Sequence, residues 1–141
     1  MEIWAGLLAL SELFEARGGE VVAICESEET LLGLAKVAHP TALLQGDFYD
    51  LNWDRWAYQL GVDSTVGAAV DILTGGPSCV TLSSAGKMRM QADKRSDQLL
   101  DSVRLAVHLR GRAVLLENVA NLVDKDAEHQ LLTVADEVWI P

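Results

Sequence analysis

Positive charge is scarce in this chain. There are 11 lysines and arginines against 21 aspartates and glutamates, a formal net charge of −10 over 141 residues. A protein that holds nucleic acid unaided neutralises phosphates with a basic surface, so this balance argues against tight DNA or RNA binding by the chain alone. Cysteine is almost as rare. Cys25 and Cys79 are the only 2, too few for a disulfide framework. Met1-Glu2 opens acidic where a signal peptide is basic. No apolar run reaches the ~20 residues of a membrane-spanning helix. These absences predict a reduced, intracellular chain that does not cross a membrane. The 3 histidines, His39, His108 and His129, lack the spacing of zinc ligands, and no metal site is expected. Repeats and low-complexity tracts are absent too. What is present is apolar: 50% of residues are hydrophobic, enough for the core of one domain.

The apolar residues alternate between two periodicities. Glu2–Trp4, Val21–Cys25, Ala42–Leu44, Val70–Leu73 and Ala113–Leu116 read as short strands, and Val138–Ile140 as the start of another. Helical spacing falls between them: Leu7–Ala16 with Leu7, Leu10, Leu13 and Phe14 on one face and Gly18-Gly19 as the stop, then Glu28–Val37 and Trp53–Leu60. Ser96–Leu109 follows, with Leu99, Leu100, Val103 and Val107 on its apolar face and Ser96 as N-cap, and Asp126–Ala135 comes last. Gly86–Asp93 is a polar loop. Strands alternating with helices predict right-handed crossovers and a mainly parallel α/β sheet in three layers. Such sheets bind ligands at the carboxyl ends of their strands.

The chemistry-bearing residues fall at those ends. The apolar run Ala68–Thr74 meets Gly75-Gly76-Pro77, which forces a turn, and Cys79 sits at its tip. The run Arg112–Leu116 ends in Glu117-Asn118-Val119. A thiol and a carboxyl at two strand ends can serve one substrate as nucleophile and acid. The plain alternatives are a structural thiol in a turn and a carboxylate capping the next turn. Glu26, just after the second strand, is placed to grip ribose hydroxyls, since a carboxylate accepts two hydrogen bonds.

These residues resemble the DNA cytosine-5 methyltransferases. That family's nucleophile loop reads Gly-Gly-Pro-Pro-Cys-Gln-x-Phe-Ser-x-Ala-Gly. Here Gly75, Gly76, Pro77, Cys79, Ser83, Ala85 and Gly86 match, while Ser78, Val80 and Leu82 depart. The family's Glu-Asn-Val stands intact at Glu117-Asn118-Val119. Asp93–Leu100 is similar to its Asp-x-Arg-x-x-Leu segment. Trp4-Ala5-Gly6-Leu7-Leu8-Ala9 occupies the place of Phe-x-Gly-x-Gly-Gly, with Leu8 and Ala9 where glycines stand. The match in order and spacing runs from about Trp4 to Val123.

The resemblance implies a Rossmann-like, S-adenosylmethionine-dependent methyltransferase fold with strand 1 between strands 2 and 4. It implies that Cys79 attacks carbon 6 of a flipped-out cytosine while Glu117 assists at ring nitrogen 3. Carbon 5 then becomes electron-rich and takes a methyl group. Trp4, Gly6, Glu26, Asp47, Phe48 and Leu99 would hold the cofactor: Asp47 accepts from the adenine amino group, Phe48 packs on the ring and Leu99 lines the pocket. For Leu99 and Arg95 a helix start with a buried leucine and a solvated arginine is an equal alternative. Leu8 would crowd the cofactor's methionine end, and Ser78 removes a proline beside the nucleophile.

The Gln-x-Arg-x-Arg motif, target-recognition region and late segment of the family have no counterpart here. Residues 1–141 therefore read as a partial catalytic domain, an incomplete version of the fold. The expected partners are DNA, held weakly or not at all by this chain alone, and a complementing subunit. The competing expectation is a non-catalytic methyltransferase-like remnant or interaction module. A cysteine hydrolase is a poor third reading, because no histidine is recognisably placed to activate Cys79.

Overall fold

The structure is a computed structural model, and residues 1–62, 70–77 and 98–117 are described. Five strands form one parallel sheet: β1 (Glu2–Ile3), β2 (Ala23–Cys25), β3 (Leu43–Gln45), β4 (Ile72–Gly75) and β5 (Ala113–Leu116). Their order is β3-β2-β1-β4-β5. β1 thus lies between β2 and β4, and every crossover passes through helix or through residues outside the described set. The helices are α1 (Ala9–Glu15), α2 (Glu29–Ala38), α3 (Trp53–Gln59) and α4 (Gln98–His108). A 3-10 turn, Phe48–Asp50, was not anticipated from periodicity. Its cause is local: the Asp47 carboxylate accepts the Tyr49 N–H at 2.9 Å and folds the chain back.

Side-chain alternation along the strands divides the interior in two. Ile3, Ala23, Cys25 and Leu73 point to one face, where Phe48, Trp56, Leu105, Ala106 and Leu109 close over them. Ile24 points to the other, with Ala5, Leu8, Val21 and Ala35. In β3, Leu43 joins the first cluster and Leu44 the second. In β1 to β3 this is the period-2 pattern of strands covered on both faces, whereas β5 is exposed along Ala113–Leu115.

Helix starts follow capping chemistry. The Glu28 carboxylate accepts the N–H groups of Thr30 at 3.1 Å and Leu31 at 2.9 Å and starts α2. Asn52 accepts the Arg55 N–H at 2.8 Å and starts α3. In α1 the cap comes from the sheet. Glu2, 3% exposed, accepts the Ser11 N–H at 3.0 Å and the Ser11 hydroxyl as well.

That contact corrects the predicted face of α1. Leu7 and Leu13 are exposed, while Leu8 and Ser11 are buried. The Glu2 carboxylate needs hydrogen-bond donors once it is inside, and Ser11 supplies two, which turns the helix away from its most apolar stripe. In α4 the expected Val103 is buried, but Val107 is 41% exposed and Ser102, Leu105 and Ala106 face inward instead. β4 runs from Ile72 to Gly75, shifted by two residues toward the C-terminus from the expected Val70–Leu73. The expected helix 126–135, the strand at 138–140, the Ser96 cap and the loop 86–93 lie outside the described residues.

Candidate functional site at the carboxyl edge of the sheet

Parallel register brings the sequence motifs into one row. Ile3 is level with Cys25 and with Gly75, Cys25 with Gln45, and Gly75 with Leu116. One residue further along each strand, the row across the sheet is therefore Gly46, Glu26, Trp4, Gly76 and Glu117. Strands lie about 4.8 Å apart, so Glu26 and Glu117, three strands apart, are separated by roughly 15 Å along this edge. α4 runs back against the strands, which puts its first turn, with the buried Leu99, at the same end.

On the β4–β5 side, the Glu117 N–H donates to the Gly75 carbonyl at 2.9 Å. A Cβ placed on Gly76 would stand 3.7 Å from Glu117 Oε2 and 3.7 Å from the Trp4 carbonyl. The carboxyl of Glu117 is thus beside the turn Gly75-Gly76-Pro77 and is itself exposed. Gly75 has a packing reason to be glycine: an added Cβ would meet the Ile3 carbonyl oxygen at 2.7 Å and Ile3 Cγ1 at 2.9 Å. Cys79 and Asn118 lie outside the described residues.

On the β1–β2–β3 side, the β1–α1 turn has an unusual backbone. Trp4, Gly6 and Leu8 take φ values of 47°, 50° and 62°. The left-handed region is free for Gly6 but costs a non-glycine residue ~1–3 kcal/mol. Leu8 is 5% exposed and caps α1 without a side-chain hydrogen bond. It occupies a glycine's conformation at a position where the resembled family has a glycine.

Glu26 is 8% exposed. Its Oε2 accepts the Gly6 N–H at 2.8 Å and its Oε1 the Glu28 N–H at 2.8 Å. Phe48 is 3% exposed. Trp4 lies against it with ring centroids 4.6 Å apart and planes tilted 36°, and Tyr49 and Trp53 meet it edge-on. Beneath the row, the Cys25 thiol donates to the Gly46 carbonyl at 3.2 Å. Burial, and then the carboxylates of Glu26 and Asp47, push this thiol up to about 12. Sequence reasoning missed Glu2 and the Trp4–Phe48 contact. An acid inside an apolar strand two residues from the turn was the available signal for the first.

A nucleoside-bearing cofactor finds a partial fit here. Acceptors stand at two adjoining strand ends, Glu26 and Asp47, and nothing lies within 4 Å of where a Gly6 Cβ would be. The Leu8 side chain, expected to crowd the methionine end, is instead packed in the interior with Ala5, Val21, Ile24 and Ala35. No group of histidine, cysteine and carboxylate side chains able to hold a metal ion occurs among the described residues, and no helix among them is long and apolar enough to cross a membrane.

An open parallel sheet with polar groups gathered at its carboxyl edge defines a Rossmann-like α/β domain. A family model for C-5 cytosine-specific DNA methylases matches residues 1–138, and the chain belongs to that family. Its curated relatives include two from Neisseria gonorrhoeae. Type II methyltransferase M.NgoPII is 27% identical over 87% of this chain and 33% of its own length. Type II methyltransferase M.NgoMIV is 28% identical over 92% of this chain and 38% of its own. The chain thus spans about a third of the length of these relatives. A crystal structure of an E. coli prophage-encoded chain, classed provisionally as a DNA modification methyltransferase, covers 97% of this chain and 36% of that one, with a TM-score of 0.70 and 21% identity. That likeness shows the Rossmann-like methyltransferase fold.

Proposed function

We propose that this chain carries the cofactor-binding and nucleophile segments of a DNA cytosine-5 methyltransferase. The reading rests on one observation above all: the Glu117 N–H bonded to the Gly75 carbonyl, which keeps the acid beside the turn that leads to Cys79. In this reading Cys79 Sγ adds to carbon 6 of an extruded cytosine. Glu117 donates to ring nitrogen 3, so the electrons moved by the attack reach carbon 5. S-adenosylmethionine, when bound, supplies the methyl group. Glu26 and Asp47 offer acceptors to its nucleoside, Gly6 gives a surface without a side chain, and Trp4, Phe48 and Leu99 supply apolar walls. The proton on carbon 5 then leaves, the sulfur–carbon bond breaks and the thiol is regenerated.

DNA is the proposed substrate, held by contacts that this acidic chain does not supply alone. Extruding a base costs a few kcal/mol, which only extensive contacts offset. A second reading, a methyltransferase-like module without turnover, is favoured by the acidic balance of the chain, 11 basic against 21 acidic residues.

Covalent capture tests the first. Duplex DNA carrying 5-fluorocytosine blocks the final elimination. With cofactor, and with the part of a relative that this chain does not span supplied in trans, Cys79 should trap the DNA. Cys79→Ser should abolish the adduct and Cys25→Ser should leave it. An adduct that persists in Cys79→Ser removes the proposed nucleophile.

A further inference from the structure

The same carboxylate that would face a ribose is already engaged with backbone. Glu26 Oε2 takes the Gly6 N–H and Oε1 the Glu28 N–H, both at 2.8 Å. The first donor belongs to the β1–α1 turn and the second to the residue that caps α2. Within that turn, Trp4, Gly6 and Leu8 all have left-handed backbone. Such a conformation persists only where its surroundings hold it. Within the turn the Leu8 N–H donates to the Ala5 carbonyl at 2.8 Å, and the Ala5 N–H reaches the Cys25 carbonyl at 3.4 Å; of its hydrogen bonds among the described residues, only that to Glu26 ties it to the start of α2.

From this we infer that Glu26 is a positioning residue. Its carboxylate staples the Gly6 turn to the start of α2, and a nucleoside diol is held only by the lone pairs left over. A carboxylate offers about four acceptor sites, two to each oxygen. The two backbone donors occupy one on each, so the carboxylate stays committed to the turn while a ligand is bound. The ligand's affinity then depends on Glu26 through the shape of the turn as well as through the ribose. This inference rests on the proposed cofactor site for its second half only.

Glu26→Gln is the informative change, because its amide NH2 must face one of the two N–H donors. In the ligand-free chain, hydrogen exchange at the Gly6 or Glu28 amide should accelerate by about tenfold, the loss of one hydrogen bond to a charged acceptor. Exchange at Ile24 in β2 should not change. Unaltered exchange at both amides overturns the staple, and so does a uniform rise that includes Ile24. S-adenosylmethionine and its 2′,3′-dideoxy counterpart are then titrated into both proteins. A positioning Glu26 weakens both ligands in the variant. A loss confined to the hydroxylated ligand shows a ribose contact alone and overturns the positioning role. If the unmodified chain binds neither ligand, the proposed function fails while the exchange result still decides the staple.

Discussion

The backbone N–H of Glu117 donates to the carbonyl of Gly75 at 2.9 Å, one residue beyond the paired ends of β5 and β4. Two motifs 42 residues apart in the chain are thereby fixed to each other by main chain rather than by flexible side chains. The pairing depends on close approach elsewhere in the same row, which gives the first prediction.

Gly75→Ala should destabilise the domain. Its new Cβ would fall 2.7 Å from the Ile3 carbonyl oxygen and 2.9 Å from Ile3 Cγ1, so β1 and β4 must separate. Overpacking of this kind costs about 1–3 kcal/mol, and more where backbone cannot yield. Urea unfolding measures it. Gly76→Ala meets only ordinary contacts at 3.7 Å and should cost less; equal costs would show that the β1–β4 contact is not the cause.

Leu8 separates two effects. Leu8→Ala loses the buried side chain and keeps the left-handed backbone, a cost of about 2–5 kcal/mol. Leu8→Gly loses the same side chain but releases ~1–3 kcal/mol of backbone strain. The glycine variant should therefore be the more stable of the two, the reverse of the order in an ordinary helix. Finding alanine more stable would contradict the backbone assignment at Leu8.

Cys25 should be inert in the folded chain. With its thiol pushed up to about 12, roughly one molecule in 100,000 is thiolate at pH 7. Iodoacetamide should leave Cys25 unmodified until denaturant is added. Peptide mapping that finds Cys25 labelled in native protein would show that it is neither buried nor held by Gly46.

The α2 cap gives a pH dependence. The N–H groups of Leu31 and Thr30 hold the Glu28 carboxyl below the usual glutamate range. A carboxyl depressed by folding contributes its full stabilisation above the unfolded value of about 4.3 and loses it as pH falls through the folded value. Protection of the Leu31 amide should accordingly be constant from neutrality to about pH 5 and decline below pH 4. In Glu28→Gln that decline should be absent; a decline that persists would assign it to another group.

Much of this was legible in sequence because parallel strands read as short continuous apolar runs. Ala113–Leu116 matches β5 residue for residue, and the order with β1 between β2 and β4 follows from the resemblance. What escaped depends on tertiary contact. Nothing in Leu7–Ala16 announces that Ser11 faces inward, since that follows from Glu2 being buried beneath it. Val107 fits an apolar stripe but lies on the edge of the α4 face that Leu105 and Ala106 define. The gathering of Trp4, Glu26, Gly46, Gly76 and Glu117 in one row required strand register, which periodicity does not provide. The Trp4–Phe48 contact joins residues 44 apart and has no local signature.

The site proposed at this edge is a cofactor-binding methyltransferase site formed by the Gly6 turn, Glu26 and Gly46-Asp47. Titration of S-adenosylmethionine into isotopically labelled chain, followed by amide resonances, tests it most directly. The account predicts weak binding, with shifts concentrated at Gly6, Glu26, Gly46 and Asp47. Amides at these four positions that stay unmoved, or shifts that spread instead across α4 and β5, would contradict it.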